Sequence, residues 1–137
     1  MSSYDRKQSV DSELAVLVGV QLSDRSRPAS NGEPLDELSG LVETAGAAVV
    51  GRMIQRRQAP HPATYVGHGK VDELKLLVDA VDADVVIFDN DLSPAQIRNL
   101  EQAVGVKVLD RTEVILDIFS SRAQTHEARL AVELAQL

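Results

Sequence analysis

The chain has 137 residues, 44% hydrophobic and 26% charged, a composition that suits one soluble globular domain with a core large enough to bury. It has no Cys, which excludes disulfide frameworks, thiol nucleophiles and Cys-based zinc sites, and only 3% aromatics, so Val, Leu, Ile and Ala must build the core. Its net charge of −7 taken whole argues against nucleic acid, but the 44–71 window holds Arg52, Arg56, Arg57 and Lys70 and no Asp or Glu; that window carries +4 and leaves −11 elsewhere.

In chain order, residues 1–12 are polar and read as a flexible lead-in without the apolar stretch of a signal peptide. LAVLVGV (14–20) is a continuous apolar run with three valines, the pattern of a strand buried on both faces. SDRSRPASNGEP (23–34) has loop composition, and 34–46 follows as a helix with Leu35, Leu38, Leu41 and Val42 at helical spacing and Gly46 as its cap. AAVVGRMIQR (47–56) starts as a second buried strand and turns basic. A proline- and glycine-punctuated connection occupies 58–69, with a short strand expected around Tyr65.

Residues 70–82 form a helix with Val71, Leu74, Leu77, Val78 and Val81 on one side, and 84–89 is a third strand. Ser93 and Pro94 open a helix over 93–104, as N-cap and first helical residue. A fourth strand lies at 106–110. From Thr112 to Leu137 the chain reads as one helix, with Ile115, Leu116, Phe119, Ala123, Leu130, Leu134 and Leu137 in a stripe whose first half is expected to pack on the sheet.

This alternation implies an α/β domain, three-layer-like, with a mostly parallel four- to five-stranded sheet flanked by helices and a long C-terminal helix. The expected division is a flexible 1–12, an α/β unit over 13–110 and a terminal helix over 111–137. No apolar run reaches the roughly 18–20 residues of a membrane span, and the reading is a cytoplasmic protein.

In such sheets the working residues lie at the carboxyl ends of the strands. YVGHGKVDEL (65–74) sets Gly67 and Gly69 before Lys70 at a helix start, where backbone N–H groups can meet a phosphate; a tight turn feeding a helix explains the same residues. It is not a P-loop: Thr64 stands where the first Gly belongs and Val71 where the metal-binding hydroxyl belongs. Asp89 and Asp91 in FDNDLSP are turn residues as readily as magnesium ligands, and His61, His68 and His126 lack metal-ligand spacing. No catalytic residue, cofactor site or metal site is expected in this chain.

ETAGAAVVGRMIQRRQAPHPATYVGHGKVDEL, VVIFDNDLSPAQIRNLE and VKVLDRTEVILDIFSSRAQTHEARLAVELAQL together resemble the HflX family, ribosome-associated GTPases of the translation-factor group. The resemblance implies that this is the amino-terminal domain, with the terminal helix entering a helical hairpin and a GTPase domain beyond it. It also implies GTP and Mg²⁺ for the full-length protein, none of them bound by this fragment. The implied partners are the large ribosomal subunit with its rRNA, in splitting or rescuing ribosomes, and the protein's own GTPase domain. Arg52, Arg56, Arg57 and Lys70 become candidate phosphate contacts, with Arg111, Arg122 and Arg129 as weaker ones. The alternative role is regulatory, the domain packing on the GTPase domain and tuning its nucleotide cycle.

Overall fold

A computed structural model describes residues 9–23 and 34–120. Strands β1 (Leu14–Leu22), β2 (Ala48–Arg57), β3 (Val85–Phe88) and β4 (Lys107–Asp110) alternate with helices α1 (Asp36–Thr44), α2 (His68–Val81) and α3 (Pro94–Val104). Residues 111–120 continue from β4 as a fourth helix, α4. The sheet is four-stranded in the order β2-β1-β3-β4, and each neighbouring pair is parallel. Parallel strands need crossovers, and each crossover helix covers one face of the sheet, so the chain forms three layers.

Alternation along the central strands builds two cores. Val16, Val18 and Val20 of β1 join Val86 and Phe88 of β3 beneath α2 and α3, which contribute Leu74, Val78, Leu100 and Val104. Ala15, Leu17, Val85 and Ile87 face the other way, toward Leu38 and Val42 of α1 and Val114 of α4. The expectation that β1 is buried on both faces holds from Ala15 to Val20.

Three local readings change. β2 is an edge strand whose residues alternate between exposed and half-buried, not a second buried strand. Its register with β1 shifts between Ala15/Val49 and Val16/Gly51, so Val50 is an extra, unpaired residue. That bulge brings two valines together in sequence and imitates a strand covered on both faces. In α4 the helical register also differs. Val114 is fully buried and Ile118 packs beside it, whereas Leu116 and Phe119 are 61% and 64% exposed. Leu116 and Phe119 of the sequence-derived stripe therefore face outward, while Ile115 is half-buried. The strand expected around Tyr65 is a single antiparallel bridge between His61 and Tyr65.

At the amino edge, within the stretch that reads as a lead-in, Val10 is fully buried and Ser12 donates its N–H to the Gly46 carbonyl at 2.9 Å. Gly46 ends the α1 turn at φ +96°, and a Cβ there would run into the Asp11 carboxylate. A side chain at such a φ costs about 1–2 kcal/mol before any clash. Gly46→Ala is expected to lower the urea midpoint by the equivalent of about 2 kcal/mol with an unchanged m-value. An unchanged midpoint would show that the turn relaxes and that its φ is not a constraint.

Candidate nucleic-acid interface at the carboxyl edge of the sheet

Every strand points its carboxyl end to the same edge, and the backbone groups that emerge there must find partners. β1 is the switch point: the chain leaves it toward β2 on one side and returns to β3 on the other. Parallel sheets of this kind open a ligand crevice at that position. Here Asn90 spans it. Its Oδ1 accepts from the Val20 N–H at 2.9 Å and its Nδ2 donates to the Val20 carbonyl at 3.1 Å, which extends the β1–β3 ladder with a side chain. Tyr65 is buried alongside. Burial, the largest cause, raises its phenol pKa above 10; a hydrogen bond with Asn90 opposes the rise, and the charge of Asp91 adds to it.

On the far side, Asp110 binds two segments at once. Its Oδ1 accepts from the Glu113 N–H at 3.0 Å, as an N-cap does, and its Oδ2 accepts from the Leu92 N–H at 3.1 Å. Arg111 donates to Asp89 at 3.2 Å and makes a short ion pair with Glu37 on α1. Those carboxylates raise its guanidinium pKa, the hydrogen bond to Glu37 most of all; partial burial opposes the rise. The Thr112 hydroxyl donates to Asp91 at 2.9 Å. Asp89 and Asp91 thus pair with Arg111 and Thr112, and among the described residues no group of three or more His, Cys, Asp or Glu is placed to hold a metal.

The basic candidates divide by face and by partner. Arg52 points to the α1 side, where Asp36 lies 3.0 Å away, and Lys70 pairs with Glu73 one turn along α2 at 3.0 Å. Arg56 shares the α1 side and donates to an amide oxygen, Oε1 of Gln21, at 3.3 Å. Arg57 lies on the α2 side and donates to the Ala59 carbonyl at 3.0 Å. Among the described residues, neither Arg56 nor Arg57 has a carboxylate partner.

Gly67 comes to rest beside Arg57: a Cβ there would stand 2.9 Å from Nη1, so the missing side chain admits the guanidinium to the start of α2. The Gly67 N–H is already donated to Gln55 Oε1 at 3.0 Å, and Gly69 is exposed on the first turn of α2. The structure therefore brings Arg57, Gly67, Gly69 and Lys70 to one corner and leaves Arg111 at the other end of the edge. Arg122 and Arg129 lie outside the described residues.

Two features escaped sequence reasoning. The His61 and His68 rings meet edge to face, 4.9 Å between centroids. The connection that carries His61 is clamped by α3, where Gln96 donates to the His61 carbonyl and Asn99 to that of Ala63, each at 3.0 Å. Gln96 is also the N3 partner of Ser93 in a capping box, as S-P-A-Q at a helix start suggests.

The fold and this edge define a class: a three-layer parallel α/β domain without a phosphate loop, its switch point filled and a basic corner on its edge strand. The family model described as "GTP-binding GTPase N-terminal" matches residues 32–120. The chain is 50% identical over 125 residues to the GTPase HflX of Lacrimispora saccharolytica, covering 91% of this chain and 29% of that protein. With the GTPase HflX of Caldanaerobacter subterraneus subsp. tengcongensis the identity is 46% over 127 residues, 93% of this chain and 28% of that protein. A crystal structure of a GTP-binding protein from Sulfolobus solfataricus in complex with GDP shares the fold, with a TM-score of 0.55 at 22% identity over 88% of this chain and 37% of that chain. The chain belongs to the HflX family and corresponds to its amino-terminal region. It spans about three-tenths of the length of these curated relatives.

Asn90 gives the site a direct test. Asn90→Ala leaves both polar groups of Val20 without their partner, and an unsatisfied buried group costs about 1–3 kcal/mol. Asn90→Asp keeps the acceptor but sets a carboxylate against the Val20 carbonyl, so it is expected to destabilise as well at neutral pH. Equal urea midpoints for wild type and both variants would remove Asn90 from this role.

Proposed function

We propose that this domain docks an HflX-type GTPase onto the large ribosomal subunit, meeting rRNA phosphates at the carboxyl end of β2 through Arg56 and Arg57. The observation that carries the reading is that these two arginines, on opposite faces of one edge strand, have no carboxylate partner among the described residues. Cations in that condition bring charge to a phosphate without first giving up an ion pair. Arg57 beside the amino end of α2 adds the positive end of a helix dipole. In the whole protein, GTP binding and Mg²⁺-dependent hydrolysis belong to a separate GTPase domain, in keeping with the relatives' name. The complete GTPase would act in the cytoplasm, splitting or rescuing ribosomes, while this domain supplies electrostatic and shape-based contact.

A second reading has its own support. Leu116 and Phe119 present apolar surface on α4, and Arg52 is engaged with Asp36. A domain arranged in this way suits packing on its own GTPase domain and tuning the nucleotide cycle.

Co-sedimentation with purified large subunits across a salt series separates the two. Docking through two phosphates gives a slope of log K against log salt near −2, since each neutralised phosphate contributes about −0.9 in duplex DNA. Arg56→Glu with Arg57→Glu is expected to weaken binding at least about tenfold at low salt and to flatten that slope by about 2. Unchanged affinity in the double variant would remove the two arginines. No binding by the folded wild-type chain at low salt would favour the regulatory reading.

A further inference from the structure

We propose that Arg111 is a latch that fixes the direction in which α4 leaves the domain, by holding the first turn of that helix to α1 and to the β3 end simultaneously. Three observations converge on it. First, the guanidinium bridges elements far apart in sequence, Glu37 on α1 through Nη2 and Asp89 after β3 through Nη1. Second, the adjoining residues are fastened in the same place, Thr112 to Asp91 and the Glu113 N–H to Asp110. Third, the apolar anchorage of the described part of α4 is thin. Val114 alone is fully buried, Ile118 is partly so, and Leu116 and Phe119 face away.

A helix seated by one buried valine is free to pivot about it, because apolar contact is non-directional. A planar guanidinium held by two carboxylates from different directions removes that freedom, since each hydrogen bond fixes an orientation. The links differ in kind. Asp110 caps the helix from the preceding strand and therefore allows rotation about the β4–α4 junction. Glu37 ties the same turn sideways to α1 and opposes that rotation. The chain continues from Ser120, so its departure direction depends on the Arg111–Glu37 link. This makes α1 and α4 a coupled pair: a partner that captures Glu37 or displaces α1 releases the helix.

The absence of native Cys allows a direct measurement. Gly40→Cys on α1, where a Cβ meets nothing within 4 Å, and Ser120→Cys on α4 are both exposed and give one spin-label pair. In the otherwise unaltered chain the label distance is expected to be a single narrow distribution. Glu37→Ala, at a side chain 76% exposed, removes the sideways link without threatening the fold, and is expected to broaden the distribution at least about twofold. Arg111→Ala should broaden it further, and adding Glu37→Ala to Arg111→Ala should change nothing more. A distribution as narrow in Glu37→Ala as in the parent overturns the latch, as does additive broadening in the double variant.

Discussion

The structure depends on the position of β1. It lies between β2 and β3, so its backbone is paired on both edges and its side chains are covered on both faces. A strand so enclosed has no tolerance for polar side chains, and Ala15 to Val20 supply none. Its parallel neighbours cannot be reached by short turns, so each helix becomes both a connection and a cover. Two cores follow from one alternating strand, since β1 contributes side chains to each.

Enclosure also sets the problem at the carboxyl edge. β3 is shorter than β1, and its backbone ladder stops while β1 still has N–H and C=O groups to satisfy. The Asn90 amide, using one N–H and its carbonyl oxygen on the same planar group, continues the ladder for one more step. Asp110 does equivalent work where β4 ends, using its two oxygens on two different segments. Side chains that in another α/β protein would receive a ligand are spent here on closing the sheet.

What could be read from the sequence follows from range. β1, α2, β3 and α3 announce themselves through local periodicity, and Ser93-Pro94 through local capping chemistry. The edge character of β2 was hidden by one inserted residue, Val50, which places apolar residues side by side where strict alternation would have separated them. α4 carries two apolar stripes in sequence; the Asp110 cap and the Arg111 ion pairs accompany the seating of the Val114 stripe. Contacts between residues 22 and 74 positions apart, as from Arg111 to Asp89 and to Glu37, leave no trace in a single sequence. The same holds for Asp89 and Asp91, whose pairing as possible metal ligands was suggested by proximity alone.

The proposed docking sets an acidic chain against a phosphate-bearing partner, and that tension resolves by asking how firmly each cation is held. An exposed ion pair is worth about 0–1 kcal/mol, so Arg52, whose pair with Asp36 is roughly half in solvent, exchanges partners at little cost. Lys70 is less exposed but has a largely exposed carboxylate as its partner and stands near Arg57 at the α2 start. Arg111 is different, because two carboxylates hold it and one of them is half-buried. Drawing it away would strand Asp89 and loosen α4 together. Among the described residues the cations are therefore graded, with Arg56 and Arg57 bonded to neutral oxygens, Arg52 and Lys70 in exposed ion pairs, and Arg111 held by two carboxylates. Net charge taken whole is therefore a poor guide to this surface, because the 44–71 window holds four basic residues and no Asp or Glu while the chain as a whole is acidic.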